Sequence, residues 1–197
     1  MGVSVYVMPF TRYLTGRFKT TWETRSELAG ERARLSPSQA AAWLDRFKAA
    51  LREKFVEPAW EDAGEALHAL TLSYASFGRI AGLAGRHAGR ARFPHMADPL
   101  RPFWIPARFP RPLELRDPAG GDEPVTVLSS PEAREELTRL RALHDEDPRS
   151  REMENLPPGS ALTGSLADYG AERTVLASML HAATLSVDAR VPVIVEG

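Results

Sequence analysis

The sequence predicts an α+β fold, with about four main helices packed on a small mixed sheet from both termini and a central β-hairpin. Three observations carry this. Between Trp60 and Ala84, the apolar residues Trp60, Ala63, Leu67, Leu70, Tyr74, Phe77, Ala81 and Ala84 follow in steps of three and four, the period of a helix face. At the two ends, Val3, Val5 and Val7 alternate and Val191–Val195 is rich in valine, as strands are. In the middle, Leu113–Asp117 and Val125–Ser129 flank Gly120-Gly121, the pattern of a hairpin.

Taken in order, Val3–Met8 is a strand that Pro9 ends. Thr11–Leu14 starts a short helical turn closed by Gly16, and a further helix is expected around 21–32. Ser36-Pro37-Ser38-Gln39 starts the next helix, because Ser36 caps, Pro37 suits the first helical position and Gln39 closes a capping box. Leu44, Phe47, Leu51 and Phe55 mark its apolar stripe. Pro58 separates it from the Trp60 helix, so the two form a hairpin or a bent pair. The Trp60 helix runs into Gly78, Gly82, Gly85 and Gly89, which predicts fraying or a closely packed neighbour.

Six prolines between 92 and 112 exclude helix and predict extended loop or edge strand. Ser129 and Glu132 stand at capping-box spacing, and Ala133, Leu137, Leu140 and His144 line the buried side of the helix they start. Asp147-Pro148 ends it, and 149–164 is expected to be loop. Leu166–Val187 is the last long helix, striped by Leu176, Leu180, Ala183 and Val187, with His181 partly buried. Pro192 places the closing strand at a sheet edge. The whole, 1–197, reads as one globular domain.

Composition narrows the chemistry. With 197 residues and 43% hydrophobic content, the chain can bury a sizeable core. It has no cysteine, which removes disulfides, thiolate metal sites and cysteine nucleophiles. No secretory signal opens it, and its charge-free stretches are shorter than the roughly 20 apolar residues of a membrane helix. A cytoplasmic location without membrane contact is therefore expected. The preference for Arg over Lys, with frequent Ala, Pro and Gly, resembles GC-rich bacterial coding.

The net charge of −1 hides a segregation. Residues 79–116 carry Arg79, Arg86, Arg90, Arg92, Arg101, Arg108, Arg111 and Arg116 against Asp98 and Glu114 only. Residues 117–197 carry 15 acidic and 7 basic side chains. The favoured reading is a non-catalytic protein-binding module of immunity or antitoxin type, acting through an acidic C-terminal face. The alternative is nucleic-acid or phosphate-ligand binding through the arginine block, with Trp104 and the neighbouring Phe93, Phe103 and Phe109 stacking on bases. Both need the opposite charges to occupy separate outward patches; pairing within the monomer removes that basis.

A third reading takes Glu65 and His68, at i, i+3 spacing, as ligands of a metal-dependent enzyme. No second Glu-x-x-His accompanies them, so neither metal nor cofactor is predicted. Gly82–Gly89 is glycine-rich but lacks the dinucleotide and P-loop patterns. His144-Asp145-Glu146-Asp147 lacks calcium-loop spacing, and no Gly-x-Ser-x-Gly elbow is present. No catalytic residue is predicted.

Overall fold

The computed structural model describes residues 2–16, 35–60, 62–87, 91–157 and 159–196. The expected helix at 21–32 lies outside them, as do Gly89 and Arg90. The described residues form strands β1 Gly2–Val7, β2 His68–Ser73, β3 Phe103–Ile105, β4 Leu113–Leu115, β5 Val125–Ser129 and β6 Val193–Glu196. The helices are α1 Phe10–Thr15, α2 Pro37–Glu53, α3 Tyr74–Arg86, α4 Ser130–Asp145, α5 Pro148–Glu154 and α6 Gly164–Ala189. The α+β class is as predicted.

The strands make one mixed sheet in the order β2-β1-β6-β3-β5-β4, with β3 and β5 parallel and the other pairs antiparallel. Strand alternation sends side chains to two cores. Val3, Val5, Val7, Trp104, Leu128, Val193 and Val195 pack on one face with α3, α4 and α6. Met8, Ile105, Val127 and Ile194 pack on the other, with Phe10 of α1 and with Trp43, Leu44, Phe47 and Leu51 of α2. The sheet is thus covered on both faces, which explains why β6 is buried along nearly its whole length. Phe10 anchors the second core, with ring centroids 5.3 Å from Phe47 and Phe103 and 5.6 Å from Trp43 and Trp60.

Local signals set several boundaries. Gly16 closes α1 at φ 66°, and Ser36 and Gln39 form the reciprocal capping box at the start of α2. Ser129 Oγ accepts from the Glu132 N–H at 3.2 Å to start α4. The hairpin β4–β5 turns at Gly120, whose φ of 90° suits glycine.

Four expectations need correction. Trp60–Ala84 is not one helix. Gly64 turns the chain at φ 117°, and His68, Leu70 and Leu72, spaced by two, form the inward side of β2 against β1. Ser73 then caps α3 through the Ser76 N–H. Steps of three and four thus coincided with a strand, and the two-residue steps decided the outcome.

Neither β3 nor β6 is an edge strand; each has a neighbour on both sides. Pro102 and Pro192 stand just outside the ladders, so no strand donor is lost, and their carbonyls accept from Val195 and Met8. The expected loop over 149–164 contains α5, capped by Asp147. His181 is exposed, its ring 5.0 Å from that of His68.

Candidate functional site

The basic and aromatic block does not assemble into one surface. Trp104 is 0% exposed, because β3 is central and points its indole into the helix-covered core. Phe93 and Phe109 are buried too, and Phe103 packs against Phe10. No ring among these four is presented for stacking on a base.

The arginines divide. Arg79 donates to Asp168 at 2.8 Å and Arg86 to Glu172 at 2.8 Å, bridging α3 to α6. Arg108 clamps Glu132 and Glu135 of α4 at 2.7 Å each, which holds Glu135 below the usual carboxylate range. Arg101 pairs locally with Asp98 at 2.8 Å. Arg92, Arg111 and Arg116 are exposed and make no ion pair among the described residues.

Three of the eight arginines thus pair with four carboxylates of the acidic third, so the predicted separation of charge is partly neutralised inside the monomer. The acidic third spends further carboxylates on Arg134, Arg141 and Arg149. Asp122, Glu123, Glu146, Glu152 and Glu154 stay exposed and without ion pairs among the described residues.

Glu65 and His68 are not on a shared helix. Glu65 sits in the loop before β2 and pairs with Arg12 at 2.7 Å, while His68 opens the strand. Burial and the neighbouring His181 lower the His68 pKa.

A different residue stands out at the end of α2. Two bonds close this helix: Phe55 N–H to Arg52 O at 2.9 Å and Val56 N–H to Leu51 O at 3.0 Å. They form a Schellman closure, with Val56 packed in the core as Leu51 is. The closure demands a left-handed residue at its turn, where glycine is favoured. Here it is Phe55, at φ 60° and 98% exposed.

The ring contributes almost no burial and its backbone conformation is costly, so folding does not account for the residue. The sequence had placed Phe55 on the apolar stripe of α2. Helical spacing continued past the true helix end, and no glycine marked the cap. Lys54 beside it lines a cavity of about 480 Å³ with Arg101, Leu113 and Glu114.

On the opposite face of the sheet, Arg79 and Arg86 line an open groove between α3 and α6, joined by Arg149 of α5. Arg149 grips Asp147 through two nitrogens at 2.7 and 2.9 Å, and these bonds drop the Asp147 pKa to about 2. Behind the groove, His144 is buried and stacked on Tyr169, with centroids 4.0 Å apart. Its pKa is lowered, chiefly by burial.

Comparison with protein-family models, curated proteins and solved structures found no match.

Proposed function

We propose that this chain is a non-catalytic protein-binding module and that Phe55 is its anchor. The observation behind this reading is an aromatic side chain almost fully in solvent on a backbone that prefers glycine. Aromatic residues dominate the energetics of protein interfaces when an apolar pocket on the partner receives them. Arg52 and Glu57, an ion pair at 3.6 Å, and Lys54 put both signs of charge within three residues of Phe55, as at an interface rim. The immunity- or antitoxin-like form of the reading adds a basic partner met by the unpaired Glu146, Glu152 and Glu154, a second surface, since their helices cover the face of the sheet opposite Phe55. Nucleic acid is left with phosphate contacts alone, since the four rings of the arginine block are packed inside.

The test is Phe55→Gly. The substitution should raise stability by about 1 kcal/mol, because glycine fits the left-handed position. The same change should weaken the partner, captured from the protein's own cells and then purified, by about 2 kcal/mol or more. Equal affinity of both forms for that partner refutes the assignment, as does the absence of a stoichiometric partner.

A further inference from the structure

Strand β2 is one edge of the sheet and pairs with β1 alone. At six residues it is as long as any strand of the sheet, and none of its residues is fully buried. Among the described residues, no backbone group outside β1 bonds to it. Its outer side therefore presents a row of unpaired N–H and C=O groups, a template for another strand.

Native sheets block such an edge with a charge, a proline or a bulge. Strand β2 has none of these. Residues 66–78 contain no Asp, Glu, Lys, Arg or Pro. The register with β1 runs unbroken from Gly2 opposite Ser73 to Val7 opposite His68, so no bulge turns the edge away. The one titratable side chain, His68, has its pKa lowered by burial and by His181, which keeps the strand neutral at pH 7. The other edge is the contrast: β4 has three residues, follows Pro112 and displays the exposed Glu114.

We propose that β2 is a dimerisation edge, pairing antiparallel with β2 of a second copy across a two-fold axis. At such an axis each side chain meets its own copy or a near neighbour of it, and like charges placed opposite each other destabilise a strand pair. A strand with no charge, and with the small exposed row Ala69, Thr71 and Ser73 on one face, meets that condition. On the other face Leu70 and Leu72 are only partly buried against the core, and a neighbouring strand completes their cover. Leu67 and Tyr74, two of the five exposed large apolar side chains among the described residues, flank the strand and extend the contact.

Alternation requires that residues of the same face stand opposite each other. Two registers then overlap best, with either Leu70 or Thr71 opposite its own copy, so Thr71 lies at the axis or one residue from it. Because β4 is blocked, pairing stops at two copies and gives a closed dimer rather than a fibre. The proposal does not rest on the Phe55 reading.

Sedimentation velocity over a range of about 1 to 500 µM tests it, since a short strand pair buries below about 1,200 Å² and associates reversibly. The mean mass should rise with concentration towards twice that of the monomer and no further. Thr71→Lys and Thr71→Glu should each weaken the dimer at least about tenfold, and an equal mixture of the two should restore it. Hydrogen exchange at the amides of 69–73 should slow with concentration in the wild type, a reading that needs no variant. A monomer throughout overturns the proposal, as does growth past the dimer. So does a dimer that both Thr71 variants leave intact, or variants that weaken it and do not rescue each other. A dimer abolished by Phe55→Gly overturns it too, by assigning self-association to Phe55.

Discussion

Glu136 and His95 set opposing pH dependences that one substitution should separate. Both are buried and adjoining. The Glu136 carboxylate accepts from the His95 N–H at 3.1 Å and the Met96 N–H at 2.9 Å. Burial drives the Glu136 pKa up from 4.5 to about 7, against the two backbone bonds. Burial likewise takes His95 down from 6.5 to about 4. The His95 ring is held neutral: Nδ1 accepts from the Ser129 N–H at 3.4 Å, and Nε2 donates to Phe109 O at 3.3 Å.

Between pH 4.5 and 6.5 the unfolded chain holds a proton on His95 that the folded chain lacks, so this residue makes stability rise with pH. Over the same window the folded chain holds a proton on Glu136 that the unfolded chain has lost, so that residue makes stability fall. The two slopes nearly cancel. Each shift corresponds to about 3 kcal/mol at full strength, and relaxation of the protein around the two buried groups reduces each to about 2 kcal/mol.

Glu136→Gln resembles the protonated acid and retains an acceptor for the two N–H groups. Urea unfolding measured from pH 4.5 to 7.5 should show the variant gaining about 2 kcal/mol on the wild type as pH rises. A variant-minus-wild-type difference that is flat across this range refutes the reasoning.

Other substitutions test the packing and the surface. Phe47→Ala removes a fully buried ring from the Phe10 cluster and should cost about 3–5 kcal/mol in chemical denaturation. Arg108→Ala breaks two ion pairs at an exposed guanidinium and should cost no more than about 1 kcal/mol, a loss that shrinks in high salt. Gly85→Ala adds a Cβ that meets nothing within 4 Å among the described residues and should stabilise by about 0.5–1 kcal/mol, raising the melting temperature by a few degrees.

The legible parts of the sequence were those set within a few residues. Ser36 with Gln39, Gly16, Ser129 and the Gly120 turn each act on their own neighbours, and each appears where it was expected. The strand β2 was missed because its identity depends on Gly2–Val7, far away in the chain, and because alanine-rich spacing satisfied the helical period by coincidence. Pro102 and Pro192 misled for a related reason: a proline just before a strand looks the same in sequence as one inside it.

The arginine block was correctly seen as a concentration of charge, but its fate was not readable. Arg86 finds Glu172 across 86 residues, through two helices that only the assembled fold sets side by side. Phe55 gave no signal at all, since its distinction is a backbone angle rather than a residue type.

The place of β6 has a consequence for how this chain comes to be. Val5 lies opposite Val195, and among the described residues the β2-β1 ribbon pairs with the β3-β5-β4 ribbon only through β6. During synthesis, each ribbon must wait on the ribosome with an open seam until the strand that zips them together has emerged. Joining of the two ribbons therefore waits for β6, and a nascent polypeptide stalled before that strand holds two unjoined halves.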